Sequence, residues 1–236
     1  MTQRGRASTD YAFRVPSATV ENYLKTIDAL ARESATSKAG VVRIAALLGV
    51  TKGSVSSMIR KLVADGLAHA EPYEGVRLTA KGKKAASDVL RRHRLIESFL
   101  VDVVGLDWSD VHVEAERLEH AVSQKLLDRI DEMLGRPKYD PHGDPIPDAL
   151  GNSASAEVVP LSECDSGKRV VISRISDQGA DFLRFVDRTG LRPGSTVVVQ
   201  SVDSIAGSIT LKPKGRPPVA VSLAVAGKVL ALALVE

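Results

Sequence analysis

The feature that most constrains the fold is a change of hydrophobic period across residues 137–160, a stretch that holds five of the chain's eleven prolines. Before it, apolar residues recur every three or four positions, as on one face of a helix. After it they fall in short runs separated by turn residues, as in half-buried strands. A proline-stiffened connection between two such textures requires more than one hydrophobic core, and 236 residues are enough for two or three. The predicted class is mainly α with a small all-β C-terminal domain.

In the helical part, residues 1–17 are small, basic and polar without a period, and read as a flexible arm. Val20, Tyr23, Leu24, Ile27 and Leu30 have helical spacing, with Thr19 as the expected N-cap. After Gly40 a short helix carries Val42, Ile44, Ala45 and Leu48 to Gly49, and another follows Thr51 through Val55, Met58, Ile59 and Leu62. Two alternating runs, Leu67 to Glu71 and Gly75 to Leu78, flank a turn at Pro72-Tyr73-Glu74-Gly75. Thr79 is expected to cap a long helix reaching about Val101, with two more helices at Asp110–Ala121 and Gln124–Leu134. Beyond the linker, strands are expected at Arg169–Ile175, Thr196–Ser201, Ser208–Lys212, Pro218–Ser222 and Lys228–Val235, the pattern of a small barrel.

Charge is distributed unevenly. Residues up to Leu95 carry 17 Lys/Arg against 8 Asp/Glu, a net of +9, while the remainder carries 15 against 21, a net of −6. A basic front half implies a polyanionic partner. Residues 42–78 supply a way to bind one: helix, glycine turn, second helix and hairpin form a winged helix-turn-helix, whose second helix enters the major groove of DNA. That helix begins with Thr51, Lys52, Gly53, Ser54, Ser56 and Ser57, short polar groups suited to base edges and phosphates, and continues with Arg60 and Lys61. Arg77 lies in the expected wing.

Four of the five histidines belong to a second pattern. Glu116, Glu119 and His120 lie at i, i+3 and i+4, which puts two carboxylates and an imidazole on one helical face. His93 and Glu97 form an i, i+4 pair, His112 precedes Glu116 by one turn, and Asp140 and His142 share a stiff segment. Carboxylate and imidazole ligands without thiolate suit Mn2+ or Fe2+, and other divalent transition metals would also bind. The single cysteine, Cys164, excludes both an internal disulfide and a multi-cysteine zinc cage. With no apolar run of about 20 residues and no apolar segment after the polar N-terminus, a reducing cytoplasm is the expected location, without a membrane partner or a small-molecule substrate.

The stretches Val20-Glu21-Asn22-Tyr23-Leu24-Lys25, Arg92-His93-Arg94-Leu95-Ile96-Glu97, Val111 to His120 and Asp140-Pro141-His142-Gly143-Asp144-Pro145-Ile146-Pro147 together resemble the diphtheria-toxin-repressor family of metal-dependent regulators. The resemblance covers nearly the whole chain. It implies a winged helix-turn-helix DNA-binding domain over 18–80, a helical metal-binding and dimerisation domain over 81–147, a linker at 148–160, and an SH3-like (FeoA-like) barrel over 161–236. It implies a primary metal site of Asn22, Glu116, Glu119 and His120, and a second site of His93, Glu97, Asp140 and His142, joined by Asp177, with His112 contributing in the arrangement of iron-type members. Glu116 stands where iron-type members have cysteine and manganese-type members glutamate, which favours Mn2+ over Fe2+. Asn22 departs from the pattern, which has aspartate there in manganese-type members and methionine in iron-type ones.

The same resemblance implies a homodimer that binds a double-stranded, palindromic DNA operator, with Mn2+ as corepressor of metal-uptake genes. By family position Thr51, Gly53 and Ser57 face bases, and Ser54, Ser56 and Lys61 meet phosphates. Two other classes are weighed. A metal-dependent hydrolase would use the same Glu/His clusters to activate water, but no general base stands beyond the ligands and the basic wing has no role in it. A metal-independent winged-helix regulator leaves the Glu/His groupings unexplained.

Overall fold

Local signals set most helix ends in the computed structural model, which describes residues 17–71, 74–154 and 156–233. The expected arm at residues 1–16, the wing-turn residues Pro72 and Tyr73 and the end of the last strand at 234–236 lie outside the described residues. Contacts divide the chain into two compact units, Met1–Ala86 and Ser87–Glu236.

In the first unit, α1 (Ala18–Glu33) starts at Ser17, two residues before the expected Thr19, and buries Val20, Tyr23, Leu24, Ile27 and Leu30, the predicted face. Helix α2 (Val41–Leu48) ends at Gly49, whose φ of 63° lies in the left-handed region that a Cβ disfavours. Thr51 then caps α3 (Lys52–Ala64), its hydroxyl accepting from the Ser54 amide at 3.1 Å. Val55, Ile59 and Leu62 of α3 are buried with Ile44 of α2 and the α1 face in one core. The hairpin of β1 (Ala68–Glu71) and β2 (Gly75–Leu78) pairs Ala68 with Leu78, and Val76 bridges back to Ala39.

The boundary between units falls inside α4 (Ala80–Phe99), which the Thr79 hydroxyl caps by accepting from the Gly82 amide at 3.0 Å. Beyond Phe99 the helix widens into a π-helical turn, Leu100–Val104, ended by Gly105. Helices α5 (Val111–Leu118) and α6 (Gln124–Met133) follow, close to expectation.

The first half of the proline-rich stretch is not a solvated connector. Arg91 of α4 donates to the Pro147 carbonyl at 2.7 Å, the Ile175 amide donates to the His142 carbonyl at 2.9 Å, and His142 is fully buried. Gly143 makes this close approach possible: its φ is 85°, and a Cβ there would lie 1.9 Å from the Ser173 carbonyl oxygen.

The β domain is a six-stranded antiparallel sheet of β3 (Val159–Pro160), β4 (Arg169–Ile175), β5 (Thr196–Asp203), β6 (Ser208–Pro213), β7 (Val219–Ser222) and β8 (Val229–Ala233), in the order β3-β8-β4-β5-β6-β7. Its core gathers Ile172, Val197, Val199, Ile209, Leu211 and Ala231 from alternate strand positions. Among the elements added to the expected five strands are the short β3 and helix α7 (Ala180–Thr189), which places Leu183 and Val186 in this core. A final turn of helix, α8 (Leu223–Ala226), precedes β8. Trp108, from the segment between the π turn and α5, packs into the same core. No single helix among the described residues is long and apolar enough to cross a membrane.

Candidate metal centre and DNA-facing helix

Glu97, fully buried on α4, is the hub of the polar cluster in the second unit. Its Oε1 lies 2.9 Å from His93 Nε2 and 3.1 Å from His112 Nδ1, and those two nitrogens are 3.1 Å apart. Helical spacing brings His93 to Glu97, and α5 delivers His112. On the other side, Glu97 Oε2 is 3.8 Å from Nδ1 of His142. Asp140 completes this side: its Oδ1 accepts from the amides of His142 and Asp144 at 2.8 and 2.9 Å, and its Oδ2 lies 3.5 Å from Arg94 Nε. Two groups of candidate ligands result, His93-Glu97-His112 and Glu97-Asp140-His142, each with its ligand atoms within 4.8 Å of one another.

The outer partners of the rings determine what they present to Glu97. His142 Nε2 lies 2.9 Å from the Trp108 carbonyl, which can only accept, so Nε2 carries the proton and the neutral ring turns the Nδ1 lone pair inward. His93 Nδ1 lies 2.6 Å from Glu119 Oε2, which likewise leaves the Nε2 lone pair facing Glu97. Lone pairs this close to a carboxylate repel unless positive charge stands between them: a second proton on each ring, or one cation in their place. Glu97 Oε2, Asp140 Oδ2 and His142 Nδ1 are also buried without a hydrogen bond, where each such atom costs about 1–3 kcal/mol.

The electrostatics agree. Burial raises the Glu97 carboxyl, but the imidazoles of His112, His142 and His93 outweigh it and hold the group well below the usual carboxylate range. Burial and the carboxylates of Asp144 and Glu97 push Asp140 up to about 7. Burial lowers His142, yet Glu97 and Asp140 more than compensate and raise it. The carboxylates of the pocket thus favour a proton or another cation on the rings that face them. The triangle of Glu97 Oε1, His93 Nε2 and His112 Nδ1 has edges of 2.9, 3.1 and 3.1 Å. Carboxylate and imidazole donors this close together fit a divalent transition-metal ion.

Glu119 joins this cluster to the other predicted ligands. It is fully buried at the C-cap of α5, with Oε2 on His93 and Oε1 3.4 Å from His120 Nε2. Glu116 is half-exposed, its Oε1 3.7 Å from His112 Nε2. Asn22 lies on α1 in the first unit. Asp177 stands outside both ligand groups: its Oδ2 is paired with Lys228 at 2.7 Å and its Oδ1 accepts from the Gly179 amide. Three contributors escape a reading by residue type. Trp108 orients His142 by its carbonyl and stacks on it with ring centroids 5.5 Å apart, Arg94 neighbours Asp140, and Gly143 lets the segment reach β4. A backbone carbonyl leaves no trace in side-chain identity, although Arg94 does adjoin His93 in the sequence.

On α3, the buried Val55, Ile59 and Leu62 turn the opposite face outward, and Thr51, Lys52, Gly53, Ser54, Ser56, Ser57, Arg60 and Lys61 are all exposed. Thr51 and Ser54 share a hydroxyl contact at 2.9 Å, and Ser56 Oγ donates to the Lys52 carbonyl at 3.0 Å. Arg77 is exposed on β2, opposite His69 of β1.

Residues 17–76 match the family model "Iron dependent repressor, N-terminal DNA binding domain", residues 79–148 its "metal binding and dimerisation domain", and residues 159–231 the "FeoA domain". The iron-dependent repressor IdeR of Mycobacterium leprae is 35% identical over 205 residues, covering 82% of this chain and 87% of that protein. The chain belongs to the iron-dependent repressor family. The diphtheria toxin repressor of Corynebacterium diphtheriae is 32% identical over 209 residues, covering 84% of this chain and 90% of its own. Among solved structures, a manganese-dependent transcriptional repressor in complex with manganese superposes with a TM-score of 0.82 at 37% identity, covering 91% of this chain and 100% of that one. As a member of this family the protein is a metal-dependent transcriptional repressor, and its relatives are regulators rather than enzymes. The mainly helical fold with an SH3-like C-terminal domain is the family's own.

Proposed function

We propose that the protein represses transcription with Mn2+ as its corepressor. The observation that carries this reading is the donor set, which consists of carboxylates and imidazoles without a thiolate. Glu116 occupies the position at which the family resemblance puts a thiol in iron-type members, and the one cysteine, Cys164, lies in the β-domain core. A hard oxygen donor at that place favours Mn2+.

Glu116, Glu119 and His120 are the proposed primary ligands, with Asn22 adding an amide oxygen, and the Glu97 cluster is a second metal centre. A bound divalent ion would supply positive charge among these carboxylates and imidazoles. Glu119 serves both: it offers one carboxylate to the primary group and holds the His93 ring through the other oxygen. Val103, Val104, Val113, Leu118, Leu126 and Met133 are exposed apolar side chains on the π turn, α5 and α6, and such a patch suits a twofold dimer interface. Two copies of α3 held at one separation would enter successive major grooves of a palindromic operator, so DNA and metal affinities are reciprocally coupled. Metal-uptake genes are the expected targets.

The test is a titration of DNA binding with Mn2+ and separately with Fe2+ under anaerobic conditions. Mn2+ should tighten binding to a palindromic operator by at least tenfold, and Glu116→Ala should remove the response. Equal affinity with Mn2+ and with chelator would end the corepressor reading. Fe2+ is the second reading, favoured by the relatives named iron-dependent repressors, and a stronger response to Fe2+ at equal free concentration would select it. Asn22→Asp should raise Mn2+ affinity, and an unchanged isotherm would remove Asn22 from the ligands.

A further inference from the structure

We propose that the Glu97 cluster holds two divalent ions rather than one, with Glu97 bridging them through its two carboxylate oxygens. The inference rests on reading the cluster as a metal centre and adds its occupancy. Glu97 Oε1 faces His93 Nε2 and His112 Nδ1 at 2.9 and 3.1 Å, while Oε2 faces His142 Nδ1 at 3.8 Å, with Asp140 on the same side. The two ligand groups share Glu97 and no other residue.

A single ion leaves the opposite face of Glu97 to be met by protons alone. Placed on the Oε1 side, it leaves Glu97 Oε2, Asp140 Oδ2 and His142 Nδ1 buried without hydrogen bonds, in a segment where His142 has no solvent exposure. Placed on the Oε2 side, it leaves the His93 and His112 nitrogens 3.1 Å apart and both against Oε1. The rings are held for two ions by separate outer partners: Glu119 orients His93, and the Trp108 carbonyl orients His142. Glu97 and Asp140 bring two carboxylates, and Arg94 lies 3.5 Å from Asp140 Oδ2 and 3.4 Å from Asp144 Oδ1. Two ions paired on a shared carboxylate are an established arrangement for such ligands.

Anomalous diffraction from crystals of the full-length wild-type chain grown with manganese(II) chloride tests this without any substitution. Two peaks, one beside each oxygen of Glu97, are expected. A single peak near Glu97 would overturn the bridge. No peak there, in a protein whose DNA binding still responds to Mn2+, would overturn it and leave the corepressor reading standing. Metal counting by equilibrium dialysis gives a second readout, in which ions bound elsewhere cancel against wild type. Glu97→Gln should lose two Mn2+ per chain, and His112→Gln and His142→Gln one each. Loss of the same single ion in all three variants would show one shared ion and refute the proposal. Should a variant fail to fold, the wild-type diffraction experiment decides alone.

Discussion

The Glu97 cluster and the outer face of α3 are both dense in polar residues, yet they solve opposite problems. On α3 the polar side chains are exposed, and their hydroxyls are satisfied locally: Thr51 by the Ser54 amide, Ser56 by the Lys52 carbonyl. Water supplies whatever else they need, so losing one group costs little. Around Glu97 the polar groups are buried and several atoms lack a partner. There each group depends on its neighbours, and a change at one position spreads. The surface groups are satisfied one by one, whereas the interior groups are satisfied only as a set.

Gly143→Ala should break this contrast most severely. Its Cβ would meet the Ser173 carbonyl at 1.9 Å in a left-handed backbone, so overpacking and strain together should cost about 3 kcal/mol or more, seen as a lower melting temperature and weakened Mn2+ binding in the same variant. A normal melting curve with normal metal affinity would mean that the segment does not need its approach to β4. Next, His142→Gln should weaken Mn2+ binding on the order of 10- to 100-fold, the scale of losing a ligand or its close support, while DNA affinity without metal stays unchanged. Calorimetric titration reads the first quantity and fluorescence anisotropy the second.

Smaller effects are expected on α3. Thr51→Ala removes the cap and should cost about 1 kcal/mol of stability, with no change in metal affinity. Were metal binding to fall with it, the two regions would be less independent than their burial implies. Lys61→Ala should weaken DNA binding across all sequences and lower the slope of log affinity against log salt by about 0.9 if Lys61 neutralises one phosphate. An unchanged slope would take Lys61 out of the interface.

The same contrast governs what could be read from residue order. Signals acting over one turn or one strand are legible: the apolar face of α1, the Thr51 and Thr79 caps, Gly49 at the end of α2, and the i, i+4 pair of His93 and Glu97. The α7 helix was equally local, with Phe182, Leu183, Phe185 and Val186 between Gly179 and Gly190, but it lies among strands and the β texture on either side conceals it. The start of α1 differs by two positions because Ser17 makes no capping hydrogen bond with its side chain and so leaves no local signal. What cannot be read locally is which side of Glu97 each ligand approaches. His112 and His142 reach it from 15 and 45 residues away, and Lys228 claims Asp177 across 51 residues of chain. Those pairings belong to tertiary packing, where residue type states what a group can bind and not which partner arrives first.

Trp108 gives the molecule an optical consequence. It is the chain's single tryptophan, its ring stacks on His142, and the Arg192 guanidinium lies 4.6 Å from its centroid on the β-domain side. Intrinsic emission excited at the indole band therefore originates from one place, beside the His142 ring and against the sheet. A paramagnetic ion at His142 would quench that emission at short range, and a diamagnetic one would shift it through the stacked imidazole. Trp108 emission would thus read out an ion at His142 without a dye or a label.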